Sequence, residues 1–360
     1  MFDVLKNWFF KYFGDPEAAI LLIVLLIAFL FIWFFGEKLS PLLAGLVLAY
    51  LLDGLITTLQ TKLRCPRSLA ITLVYSLFVG LFIYALVALL PTLYKQFVQL
   101  VGQIPQFMTE FHNFIANLPV RYPGLISNNT AQSWITSTDI NISSFSDVGS
   151  TVLSNSFLSM SKFVTALIYV FLIPLVTFFF LKDKTRLLKS FDAYMPDQRG
   201  LILEVAHEMR VMTGRYVRGK VFEIILVTVL TWIGFAVMHL NYAFLLALLV
   251  GLSAIIPYIG AIVVTIPVVL IALLQFGPNA PFVYVMLIYG IIQILDGNLL
   301  VPILYAGAVN LNPVIIIMAV LFFGGIWGFW GLFFAIPLAT LVKAVVQAWM
   351  RHANLAIKQN

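Results

Sequence analysis

The chain has little charge where a water-facing surface would need it. Only 10% of its 360 residues are Asp, Glu, Lys or Arg, against about 25% in an ordinary globular domain. From Val221 to Val342, a run of 122 residues, there is no Lys, no Arg and only two acids, Glu223 and Asp296. A bilayer can host such a run. Each acid left in it is costly, roughly 2.5–3.5 kcal/mol for an Asp at a helix centre on insertion scales. Acids kept at that cost usually face a protein interior or a water-filled path. Cysteine is almost absent: Cys65 alone excludes an intrachain disulfide and a cysteine metal cluster. The four histidines, His112, His207, His239 and His352, are too scattered for a metal motif, so no metal and no other cofactor is expected. The chain lacks the Gly-x-x-x-x-Gly-Lys-Ser/Thr phosphate loop, which argues against primary active transport by this chain alone. It also lacks His-Glu-x-x-His and Gly-x-Ser-x-Gly, and Glu223 and Asp296 make a poor aspartyl-protease dyad. No catalytic residue stands out, and an enzyme is not expected.

What the chain has in abundance is apolar sequence: 62% hydrophobic residues and a mean hydropathy of +1.03. This composition predicts an all-α polytopic membrane protein with roughly 6–10 membrane segments of lengths suited to the bilayer. Strong spans are expected at 18–35, 41–57, 69–91, 157–181 and 221–238, and fragmented ones at 243–256, 261–276, 281–303, 313–323 and 331–347. The first run, Ala18 to Phe35, is followed by Gly36-Glu37-Lys38 rather than a small-residue cleavage site, and reads as a retained span. The expected organisation is as follows: membrane helices over 1–91, an extracytoplasmic amphipathic helix and polar loop over 92–156, and a membrane helix over 157–181. A cytoplasmic basic amphipathic segment over 182–220, a membrane repeat region over 221–347 and a cytoplasmic tail over 348–360 complete it.

The net charge of +6 follows the loops and does not suggest nucleic-acid binding. With the N-terminus inside, seventeen Lys and Arg fall on the inner side and four (Lys38, Lys95, Arg121 and Lys162) on the outer side. That bias predicts both termini in the cytoplasm. In the outer segment, Leu93, Phe97, Leu100, Val101, Ile104, Phe107, Met108, Phe111, Phe114, Ile115 and Leu118 make a helical stripe. It reads as a helix packed on the protein or lying among the headgroups, or as a gate. Residues 127–156 read as a polar loop or cap. In the inner segment, Ile202, Val205, Met209, Met212 and Tyr216 form a second stripe, with Arg215, Arg218 and Lys220 placed for membrane-surface anchoring.

The uncharged region repeats itself. Leu240-Asn241 corresponds to Leu311-Asn312 and Gly260 to Gly331 at an offset of 71, while Ile266-Pro267 corresponds to Ile336-Pro337 at an offset of 70. With a small further shift Glu223 falls opposite Asp296. Each unit reads as a long helix carrying one acid, then two shorter apolar stretches broken by glycine. The breaks are expected at Pro257–Gly260 in the first unit and at Gly324, Gly325, Gly328 and Gly331 in the second. Residues 243–256 give about 21 Å of helix, short of a core of about 30 Å, so this piece and 261–276 either dip in and return as a re-entrant hairpin or cross as a pair. Two such units in opposite orientation make an inverted repeat, which many secondary transporters use for alternating access. Backbone exposed at the breaks must line protein or water, which makes these positions pore candidates.

Asp296 lies in Gln293-Ile294-Leu295-Asp296-Gly297-Asn298, and Gln293, Asp296 and Asn298 gather three polar groups within six residues. The segment is either a capped helix break or a proton, cation or solute site. Glu223 follows Arg218-Gly219-Lys220, so a surface-level ion pair is its plainest reading. Asp53, at the inner end of the second span, either belongs to the pathway or meets water near Lys62 and Arg64.

The motifs Ala49-Tyr50-Leu51-Leu52-Asp53, Tyr216-Val217-Arg218-Gly219-Lys220 and Ile256-Pro257-Tyr258-Ile259-Gly260 are followed by Asp296-Gly297-Asn298-Leu299-Leu300-Val301-Pro302, Asn312-Pro313 and Ala335-Ile336-Pro337-Leu338. In this order the chain resembles the autoinducer-2 exporter family, the PerM-like permeases. Asp15-Pro16-Glu17-Ala18 and Leu181-Lys182-Asp183-Lys184 resemble the PerM branch in particular. Gly54 departs from the pattern, since many relatives carry Pro after the Asp. The resemblance implies a homo-oligomeric permease of the bacterial inner membrane that moves a small-molecule or ion substrate. Relatives are linked to export of the signal autoinducer-2 or to sodium/proton antiport. A passive oligomeric channel and a partner-binding scaffold are the remaining readings.

Overall fold

The computed structural model describes residues 16–36, 38–121, 133, 160–193, 200–305 and 311–359, and every element in them is helical. The polar stretch 127–156, apart from Ser133, lies outside the described residues, as do the first fifteen. Helix α1 spans Pro16–Phe35 and α2 spans Ser40–Leu63, opening on Pro41 in its first turn and closing on Arg64 in the left-handed region. Helix α3 (Arg67–Tyr84) passes through a π turn at Ala85–Leu89 into α4 (Leu90–Arg121). Helices α5 (Met160–Lys182) and α6 (Lys184–Ala193) lead to α7, one unbroken helix over Gly200–Val237. Then come α8 (Ala243–Ser253), α9 (Ile259–Phe276) and α10 (Ala280–Leu295), a π turn at Asp296–Leu300, the short α11 (Val301–Leu304) and α12 (Pro313–Gln359).

Seven helices are long and apolar enough to cross a membrane, in line with the expected polytopic fold. Their outward faces carry Leu69, Leu73, Leu77 and Leu81 on α3 and Ile225, Val229 and Ile233 on α7, all exposed. Lipid tails solvate such side chains without cost. The apolar stripe of α4 packs inward: Leu93, Phe97 and Leu100 lie on the cluster around Phe235, Leu246 and Val268. Gln96 Oε1 accepts from Leu245 N at 2.9 Å, and Gln103 Oε1 accepts from Tyr242 hydroxyl at 2.7 Å. Of the readings offered for this helix, packing on the protein is the one these contacts match. A second bundle joins α2, α3 and α5. Gly45 lets α2 approach Val176 and Thr177, and Tyr75 donates to Pro174 O at 3.1 Å.

Helix α7 is the axis on which the uncharged region is built. Its 38 residues extend about 57 Å at 1.5 Å each. Near its start Ile202 and Val205 pack with Ala348 of α12, and midway Tyr216 meets Phe333 of α12. One turn later Lys220 meets Ala254 at the end of α8, and further on Gly251 of α8 lies against Thr228. At the far end Phe235 packs with Leu246. Two broken hairpins therefore approach α7 from opposite ends, and their tips meet it between Tyr216 and Lys220.

Glycines sit at the turn of each hairpin. In the first, α8 gives way to α9 through Pro257 and Tyr258, and a Cβ on Gly260 would run into the carbonyl of Ser253. In the second, α12 breaks at Gly328, where φ is 56° and ψ is −133°, a conformation open to glycine. There a Cβ on Gly331 would run into the carbonyl of Phe323. A contact between residues eight apart is impossible in a straight helix, so the chain doubles back at Gly328. Helix α8, with 11 residues, covers only about 16 Å. That is too short to cross.

Candidate functional site

A cavity of about 540 Å³ lies where the first hairpin, the middle of α7 and the π turn after α10 converge. Its polar wall is made by Lys220, Glu223, Ser253, Gln293, Asp296 and Tyr305, and its apolar wall includes Pro257, Val301, Ile316 and Ile336. Four of the residues singled out from the sequence, Glu223, Gln293, Asp296 and Pro257, thus share one chamber. The two acids, 73 positions apart in the numbering, reach it from different helices.

Glu223 is not at a surface. Lys220 Nζ lies 2.9 Å from Glu223 Oε2, and the two side chains are only 3% and 2% exposed. The surface-level pair expected from the sequence is instead a buried one, because α7 runs unbroken through this point and places it mid-helix. Tyr305 hydroxyl donates to the same Glu223 oxygen. The Lys220 ammonium also donates to Ala254 O at 2.8 Å and sits 5.3 Å from the centre of the Tyr305 ring. Gly219 makes room for this arrangement: a Cβ there would stand 3.1 Å from Tyr305 Cε1 and 3.3 Å from Leu304 O. The charges of Lys220 and Glu223 cancel, and each partner has a further hydrogen bond, Lys220 to Ala254 O and Glu223 from Tyr305, as a buried pair requires.

Asp296 is placed differently. It opens the π turn Asp296–Leu300, a geometry that recurs at functional positions in helices. Its Oδ1 is buried without a hydrogen-bond partner, and it forms no ion pair among the described residues. Beside it Gln293 Nε2 donates to Tyr289 hydroxyl at 3.1 Å, and that hydroxyl lies 2.8 Å from Thr265 Oγ1. With Lys220 and Glu223 neutralising one another, an ionised Asp296 leaves the chamber with one negative charge. Such a chamber can hold a proton, a cation or a solute rich in hydrogen-bond donors.

The other candidates lie elsewhere. Asn298 is exposed and donates to Ile294 O at 3.0 Å within its own helix, so it does not line the cavity. Asp53 pairs with Lys184 at 2.7 Å and Arg67 at 3.6 Å. That cluster closes a separate apolar groove of about 310 Å³ between α2, α5 and α6. Gly260 is buried inside the first break. Gly324, Gly325, Gly328 and Gly331 shape the second break without lining the chamber.

The sequence reading missed Lys220 and Tyr305 as site residues. The i,i+3 spacing of Lys220 and Glu223 was an available signal, but the run Arg215, Arg218, Lys220 looked like a membrane-surface anchor. Arg218 does lie outside the chamber, donating through Nε to Tyr50 hydroxyl at 3.2 Å and stacking 5.0 Å from its ring. The motifs that carried the family resemblance therefore meet in space: Tyr50 with Arg218, Asp53 with Lys184, and Lys220 with the Ile256-Pro257 turn.

Residues 22–351 match the family described as AI-2E family transporter. The "Putative permease PerM" of Escherichia coli (strain K12) is 44% identical over 349 residues, covering 97% of this chain and 98% of the relative. The "Putative transport protein YueF" of Bacillus subtilis (strain 168) is 25% identical over 324 residues, covering 87% and 85%. The "Putative transport protein YrrI" of the same organism is 25% identical over 318 residues, covering 86% of each. With this match along nearly its whole length and seven helices fit to span a bilayer, the chain belongs to the AI-2E transporter family and is a multi-pass membrane transport protein.

Proposed function

We propose that this protein is an inner-membrane permease that exports a small polar solute by secondary transport, an autoinducer-2-like signal or a similar compound, with Asp296 as the coupling carboxylate for a proton or sodium ion. The observation that carries the reading is the chamber of about 540 Å³ in which an unpaired acid meets the tip of a broken hairpin. Hairpins that reach α7 from opposite ends fit the inverted repeat of many secondary transporters. Residues 92–156 outside, 182–220 inside and both termini in the cytoplasm follow from the lysine and arginine bias. Homo-oligomeric assembly belongs to the same proposal and rests on the family resemblance. The names of the relatives, all permeases or transport proteins, support a transporter over an enzyme.

The test is flux through the purified protein in sealed proteoliposomes, across a panel of small polar solutes, under imposed proton and sodium gradients. The proposal expects saturable solute movement that speeds up with one of the gradients. Sodium–proton exchange without any solute would make the protein an antiporter. Unsaturable, gradient-independent flux would make it a passive channel.

A further inference from the structure

A chain of contacts runs from one hairpin to the other through the mid-section of α7. It starts at the carbonyl of Phe333 in α12. In a regular helix that oxygen would accept the amide hydrogen of residue 337, but residue 337 is Pro and has none. Tyr216 hydroxyl takes the empty place, donating to Phe333 O at 3.0 Å. The Tyr216 ring lies 5.6 Å from the Tyr305 ring, and Tyr305 donates to Glu223. Glu223 holds Lys220, and Lys220 donates to Ala254 O at the C-terminal end of α8. The last carbonyls of a helix have no partner within it, and its C-terminal end favours a cation. Both ends of the chain are therefore backbone carbonyls that the broken helices cannot satisfy themselves. Buried and left bare, each would be costly.

Tyr216 and Lys220 are one helical turn apart and buried on the same rigid helix. Tyr216 holds the second hairpin and Lys220 holds the first. We propose that the chain Phe333–Tyr216–Tyr305–Glu223–Lys220–Ala254 couples the two hairpins, with Tyr216 and Lys220 as positioning residues that make the closed state of one hairpin depend on the closed state of the other. Coupling of this kind is reciprocal: whatever one hairpin loses on opening, the other feels by the same factor. The inference needs no particular solute and can fail independently of the transport reading.

The test is amide hydrogen exchange on the full-length protein in lipid nanodiscs without solute, following peptides over 254–260 and 326–333. Tyr216→Phe removes one hydroxyl and leaves the ring. The coupling predicts exchange about three- to tenfold faster in the second hairpin, the range set by losing one hydrogen bond, together with a measurable speed-up in the first hairpin, to which the Tyr216 hydroxyl, donating to Phe333 O, gives no hydrogen bond. Lys220→Met should show the mirror pattern, and Lys220→Arg should restore protection. If Lys220→Met does not fold, the double variant Lys220→Met/Glu223→Gln breaks the same link without stranding a charge. In a double-mutant cycle the effects of breaking both ends should fall short of the sum. Speed-up confined to the hairpin each residue touches, strict additivity, or no change at either hairpin would overturn the proposal.

Discussion

Lys220 and Glu223 lie in the middle of the long helix α7, buried, where either charge alone would be stranded. Removing one partner of a buried pair typically costs about 3–5 kcal/mol, whereas removing both is often near neutral. Lys220→Met and Glu223→Gln are therefore each expected to lower the thermal midpoint in detergent markedly. The double variant should recover most of the loss. A double variant as unstable as the worse single one would mean that the pair itself, rather than the stranded charge, holds the fold. Glu223 and Asp296 were legible in the sequence because charge is so rare around them that any acid stands out. The burial of Lys220 was not legible. It depends on Tyr305, 85 residues away, and on Ala254, 34 residues away, and it takes the fold to bring these together. Asn298 shows the converse: it sits beside Asp296 in sequence, yet its position on the helix turns it away from the chamber.

Among the elements, the hairpins depend on glycine for closeness more than for flexibility. At Gly260 and Gly331 a methyl group would overlap a main-chain carbonyl, so the two arms would have to separate. Gly260→Ala and Gly331→Ala are expected to destabilise the protein by about 1–3 kcal/mol, the usual cost of overpacking. Gly80 and Gly325 have open space at the same position, and alanine there should be neutral or stabilising by up to about 1 kcal/mol through helix propensity. Thermal denaturation of the four variants separates these outcomes. Equal loss at all four sites would mean that the tight turns are not as described. The hairpins were legible because the two breaks carry corresponding glycines, Gly260 and Gly331. The full extent of α7 was not. The sequence suggests a boundary near residue 220, since charged residues stop there, but a helix backbone is indifferent to that change and continues from Gly200 to Val237.

At the scale of the whole molecule, the lipid-facing α3 and the outward face of α7 surround an interior whose chamber, among the described residues, holds one neutralised pair and one unpaired acid. Polytopic character and family were plain from apolar content and motif order. The chamber was not, since no pattern along the chain tells which polar residues of separate helices will face one another. The central claim is that Asp296 couples solute movement to an ion gradient. Flux through Asp296→Asn in proteoliposomes, measured with and without an imposed proton gradient and again with a sodium gradient, tests it most directly. The asparagine keeps the shape and loses the charge. Solute should still move down its own gradient, but the acceleration by the ion gradient seen in the unaltered protein should disappear. Gradient dependence that survives unchanged in Asp296→Asn would contradict the account.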